Sequence, residues 1–167
     1  MSLGRMENFD LGIFHELLTR SAKSQSQLAV ECGVGKTVVS HWVTGRSKPS
    51  PPMAPKIAAA LNVSVLELAG KTMATADLLD LRMSRGMIGA HLATAAGIKA
   101  HQYQRLEEAI SMPTPELLDP LAPVLQVSVD QVHRAWVNRR THLYGTTSLA
   151  HLSPEARDFL SPWSQQR

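Results

Sequence analysis

Lys36, Thr37, Ser40 and His41 stand close together in the chain, and Arg46 and Lys48 follow shortly after. Hydroxyl and imidazole groups can exchange hydrogen bonds with base edges, while the cations can neutralise phosphate. Between residues 24 and 56, Lys36, Arg46, Lys48 and Lys56 face only Glu31, a net charge of +3. A helix starting near Lys36 buries Val39 and Trp42 at a spacing of three and turns Lys36, Thr37, Ser40 and His41 to another face. A short helix with small polar and basic residues outside, flanked by cations, fits a DNA major groove.

The elements that must position these groups are legible around them. Ser24 caps a preceding helix and Gln27 closes a capping box. Leu28 and Ala29 form its buried face, Gly33 breaks it in a left-handed turn, and Val34 plugs inward. Gly45 ends the second helix. Upstream, Leu11, Phe14, Leu17 and Leu18 give an apolar stripe from Asp10 to Thr19. Downstream, a helix runs from about Met53 to Leu61, and Ser64 with Glu67 opens a short one ending near Gly70. That predicts five helices, preceded by a loose leader over residues 1–9.

The pattern Gln25, Leu28, Ala29, Gly33, Val34, Val39, Trp42, Gly45 and Pro49, followed by an apolar helix, resembles the lambda repressor/Cro-type (XRE-like) helix-turn-helix family of bacterial regulators. The likeness covers roughly residues 10–70, and Val43 departs from it where the family usually carries glutamate. It implies a five-helix DNA-binding fold in which Gln25 hydrogen-bonds phosphate, as a helix N-terminus facing the backbone would favour. Arg46 and Lys48 would then be phosphate contacts, and Lys36, Thr37, Ser40 and His41 would enter the groove.

The chain also repeats itself at an offset of 64 residues without a gap. Leu17, Leu28, Ala29, Gly33, Pro49, Leu61 and Ser64 recur as Leu81, Leu92, Ala93, Gly97, Pro113, Leu125 and Ser128. The matches fall on core, turn and cap positions, so the second half is expected to fold the same way. Its candidate reading helix spans about Ala100 to Glu108, with Lys99, His101, Gln102 and Arg105 as weaker candidate DNA contacts. Glu107 restores the acid missing at Val43. Its loop differs, because Ala109, Ile110 and Met112 replace Gly45, Arg46 and Lys48, and Ala109 would be costly in a left-handed turn. Residues 77–133 carry four Lys or Arg against seven Asp or Glu, a net of −3. The second copy should therefore hold DNA less strongly, or serve as a packing module.

The expected architecture is all-α: two tandem five-helix lambda-repressor-like helix-turn-helix domains, at 8–72 and 75–140, and a tail at 141–167. In the tail, Ser153-Pro154-Glu155 should start a short helix burying Ala156, Phe159 and Leu160, with Trp163 unassigned. Arg134, Arg139 and Arg140 are placed on an outer helix face, meeting solvent.

Other chemistries find little support. Cys32 is the only cysteine, expected as a small buried residue, so neither an intrachain disulfide nor a cysteine-cluster zinc site is available. Seven histidines are spread without paired ligand spacing, so no metal and no cofactor are expected. No nucleophile elbow, phosphate-cradling glycine loop or paired catalytic carboxylates occur, so an enzyme is not expected. No apolar run approaches membrane-spanning length and no signal-peptide core is present, so a cytoplasmic protein without membrane contact is expected.

The expected function is a sequence-specific regulator of transcription that binds double-stranded DNA, with one chain acting as a pseudo-dimer. The alternative confines DNA binding to the first domain. The second domain and tail then serve as a homodimer or protein-partner module, as in an antitoxin or plasmid-maintenance regulator.

Overall fold

The computed structural model describes residues 5–145; the expected tail helix at Ser153 and the unassigned Trp163 lie outside the described residues. The described chain is all-helical, with eleven helices. The first five are α1 (Leu11–Arg20), α2 (Gln25–Cys32), α3 (Lys36–Val43), α4 (Met53–Ala60) and α5 (Val65–Leu68). They surround a core of Phe14, Leu17, Leu28, Val39, Trp42, Ile57, Leu61 and Leu68. Local chemistry sets their ends. The Asp10 carboxylate accepts from the Ile13 N–H at 2.9 Å, and Ser24 with Gln27 and Ser64 with Glu67 form complete capping boxes. Cys32 is buried in this core, and burial raises its thiol pKa, with Glu31 adding to the effect.

The remaining helices are α6 (Leu78–Ser84), α7 (Gly89–Ala95), α8 (Ala100–Glu107), α9 (Pro115–Leu118), α10 (Leu121–Leu125) and α11 (Val129–Tyr144). Leu78, Leu81, Leu92, Tyr103, Leu106, Leu121, Val132 and Trp136 build a second core. Bounds and turns recur at the 64-residue offset. α3 and α8 correspond residue for residue, α2 and α7 share a start, and α1 and α6 share an end. Left-handed residues recur too, as Ala22 and Gly86, Gly33 and Gly97, Gly45 and Ala109, and Asn62 and Gln126. Ala109 thus keeps the turn made by Gly45, with φ of 54° against 69°, at a backbone cost of about 1 kcal/mol.

Two elements depart from the first half. Where α4 is continuous, Pro120 and Pro123 interrupt the backbone donors, leaving α9 and α10 as separate short pieces. Where α5 stops at Ala69 and the left-handed Gly70, α11 carries His133 and Arg134 and continues to Gly145, itself left-handed at φ 67°.

Helix α6 belongs to both cores. Leu78 and Leu81 enter the second, while Leu79 and Met83 enter the first, and Leu66 of α5 packs against the second in return. Gly86, just beyond α6, sits so close to α4 that an added Cβ would lie 3.0 Å from the Pro55 side chain. The joint around Lys71 to Thr75 is therefore bridged by packed side chains on both sides.

Two sequence expectations are corrected. Residues 6–9 are no loose leader: Met6 is fully buried, its N–H donates to Pro49 O at 2.7 Å, and Phe9 packs on Phe14 with ring centroids 5.1 Å apart. Asn8 Nδ2 reaches across to Asp80 Oδ1 at 2.6 Å. Arg139 and Arg140 do not simply meet solvent. Arg139 pairs with Asp77 at 3.3 Å and donates to Glu107 O, while Arg140 donates to Ala109 O and lies over the Trp136 and Tyr144 rings. Both arginines fasten α11 to the second core. Of the methionines, Met83 is buried in the first core, and Met87 and Met112 pack on the second.

Candidate nucleic-acid interface

Helices α2 and α3 are joined by a turn of Gly33, Val34 and Gly35. Gly33 is left-handed at φ 69° with open space around its α-carbon, and Val34 N–H closes onto Ala29 O at 2.9 Å. Val39 and Trp42 anchor α3 in the core, which fixes its rotation. Lys36 and Thr37 are consequently exposed, and Ser40 and His41 half-buried, on its outer side. The N-cap Gly35 offers no side-chain acceptor, so no side chain caps the first turn of α3. Gln25, half-buried, is the first residue of α2.

The loop after α3 is held firmly. Gly45 turns left-handed, Ser47 N–H returns to His41 O at 3.2 Å, and Pro49 is buried with its carbonyl taking the Met6 N–H. Arg46 and Lys48 stand exposed on this frame, with Lys48 Nζ donating to Glu7 O at 3.2 Å. Among the described residues, Lys36, Arg46 and Lys48 enter no ion pair. Glu31, the one acid of the stretch, is taken by Lys23 at 2.6 Å, and Lys23 also donates to Ala60 O. Exposed cations outside any ion pair suit an anionic surface.

Val38, 40% exposed, is a residue the spacing argument passed over. Val39 and Trp42 fill the core-facing side of α3 and leave Val38 outside, an apolar group of the kind that can pack on a thymine methyl. Thr44 is exposed beyond it, with its hydroxyl donating to Ser40 O at 2.8 Å.

The corresponding surface of α8 is more engaged with its own chain. Tyr103 and Leu106 are buried, and Lys99, His101 and Arg105 are exposed. Half-buried Gln102 accepts the Lys99 N–H at 3.2 Å, and Arg105 Nε donates to Ser111 Oγ at 3.1 Å. Gly89 and Ile88 stand where α2 has Gln25 and its Ser24 cap. Ile110 is 53% exposed where the first loop has Arg46. Behind this face, Arg82 grips Glu107 through Nε at 2.7 Å and Nη2 at 3.0 Å, and the Tyr103 hydroxyl donates to Glu107 Oε1 at 2.9 Å. Burial opposes the Arg82 charge, but its bonds to Glu107 outweigh that and raise its pKa; burial and Glu107 both push the Tyr103 phenol upward.

No group of histidine, cysteine or acidic side chains among the described residues is arranged to hold a metal ion, and no described helix is long and apolar enough to cross a membrane. Residues 15–68 match a helix-turn-helix family model, of the Cro/C1 type, which takes in α2, α3 and the loop. No curated protein and no solved structure matches the chain. The family match supports a DNA-binding regulator of transcription in general terms.

Proposed function

We propose that the chain binds specific double-stranded DNA sites as a transcriptional regulator, with α3 in the major groove. Lys36, Thr37, Ser40 and His41 meet base edges and nearby backbone, and Gln25, Arg46 and Lys48 meet phosphate. The observation that carries this is the group of exposed cations Lys36, Arg46 and Lys48, which enter no ion pair among the described residues. The 64-residue recurrence of helices and left-handed turns supports a second, divergent helix-turn-helix unit in the same chain. In this reading α8 is a weaker second reader, through Lys99, His101, Gln102 and Arg105, and one chain acts as a pseudo-dimer on an asymmetric site.

A second reading is favoured by Gly89, Ile110 and the engagement of Arg105 with Ser111. There the second unit binds another copy of the chain or a protein partner, and only α3 reads DNA. Selection of bound sequences from random duplexes with the full chain, repeated with Lys36→Ala and Arg105→Ala, separates the two. Pseudo-dimeric reading requires two motifs about one helical turn apart, each degraded by one substitution. A single motif indifferent to Arg105→Ala supports the partner-module reading. Failure of the wild type to select any motif sinks both.

A further inference from the structure

We infer that Arg5 is an additional phosphate contact, delivered to the DNA-binding loop by the segment that follows it. This rests on the reading of α3 and its loop as the DNA-binding face. Met6 is fully buried and its N–H is bonded to Pro49 O at 2.7 Å, next in sequence to Lys48. Lys48 Nζ lies 3.2 Å from Glu7 O. Consecutive α-carbons are about 3.8 Å apart, so the Arg5 backbone stands within roughly 7 Å of Glu7, a span an arginine side chain matches. The chain therefore leaves the first core at the loop that carries Arg46 and Lys48.

The anchor is stiff. Phe9 N–H returns to Met6 O at 3.2 Å, Phe9 packs on Phe14, and Asn8 is tied to Asp80 of α6. A cation presented on such an anchor loses less entropy on meeting phosphate than one on a free arm. Arg5 is exposed and, among the described residues, enters no ion pair. Glu7 is the opposing charge in this segment. It is exposed, and a phosphate approaching Lys48 meets its field. The segment thus carries one group that should strengthen DNA binding and one that should weaken it.

The test uses the full chain and a duplex that the wild type selects, with affinity measured from about 50 to 200 mM salt. Each phosphate contact contributes a slope of about 0.9 in log K against log salt. Arg5→Ala is expected to flatten the slope by about that amount and to weaken binding about eightfold near 0.1 M salt, equally across sequences. Its melting temperature should stay unchanged. Glu7→Gln should bind more tightly than wild type, and Arg20→Ala, an exposed cation at the end of α1, should match wild type. An unchanged slope in Arg5→Ala overturns the inference. So does an equal loss in Arg20→Ala, which would reduce Arg5 to a share of overall charge. If Lys36→Ala also leaves binding intact, the reading of α3 fails and the assignment of Arg5 falls with it.

Discussion

Arg82 and Glu107 form a two-pronged ion pair between α6 and α8, with side chains 7% and 16% exposed. The residues 64 positions earlier are Leu18 and Val43, both packed against the first core. One half of the chain thus solves with charge what the other solves with hydrocarbon. Breaking such a pair leaves a buried charge uncompensated, whereas replacing both members with packed apolar groups is often close to neutral.

Glu107→Val alone should accordingly destabilise the protein by about 3 kcal/mol, because Arg82 keeps its charge and the Tyr103 hydroxyl loses its acceptor. Adding Arg82→Leu and Tyr103→Phe should recover most of that loss. Urea unfolding of the single and triple variants checks it. A triple variant no more stable than the single one would show that the ion pair does more than fill space.

Acid should weaken the fold through His133. Burial on α11 lowers its folded pKa below the ordinary 6.5, with Asp130 partly opposing. The unfolded chain then takes up the proton first, so this stability is present above about pH 6.5 and declines as pH falls toward the lowered folded value. Asp80 works the other way. Burial raises its carboxyl above 3.8, with neighbouring Asp77 adding to this and hydrogen bonds partly opposing, so acid relieves a cost there. Melting temperatures measured between about pH 7 and 5.5 should fall in the wild type and fall less in His133→Leu. Equal falls in both would place the acid sensitivity elsewhere.

The parts of the fold legible in sequence are those written in local chemistry. Ser24, Gly33, Val39 and Trp42 fix the α2–α3 unit within a short span, and the boxes at Ser64 and Ser128 place two helix starts. What escaped depends on distant partners. Met6 and Phe9 are isolated apolar residues without a period, so nothing nearby announces their burial. Arg139 reads as a solvated charge because Asp77 and the Glu107 carbonyl lie far away in sequence. Nothing local distinguishes Leu79 from its neighbour Leu78, although the two enter different cores. On α3, the spacing of Val39 and Trp42 was enough to turn Lys36, Thr37, Ser40 and His41 to the outer side, whereas the exposure of apolar Val38 beside them carries no such signal.

The left-handed turns exchange residues between the halves. Exposed Ala22 has φ 54° where Gly86 has 62°. Ala22→Gly relieves strain but adds freedom to the unfolded chain, so a gain of only a few tenths of a kcal/mol, roughly, is expected. Gly86→Ala adds the same strain and also drives a Cβ to 3.0 Å from Pro55, so a loss of about 2 kcal/mol is expected. Chemical denaturation of the two variants measures the asymmetry. Equal and opposite effects would mean that the contact with Pro55 yields at no cost.

Sharing α6 between the cores predicts one unfolding event. Leu79 and Met83 each contribute about 2 kcal/mol of burial to the first core, while Leu78 and Leu81 commit the same helix to the second. Neither core can open without exposing part of the other, so calorimetry should give one transition whose calorimetric and van't Hoff enthalpies agree. For the same reason a chain ending near Thr72 should be less stable than its five helices suggest, since it lacks Leu79 and Met83. On DNA, a body joined this way cannot stretch between two half-sites. If α8 reads a second motif, inserting one base pair between the motifs should cost most of the affinity contributed by the second. Equal affinity across a spacer series would mean that the two readers move independently, and it would accompany two calorimetric transitions rather than one.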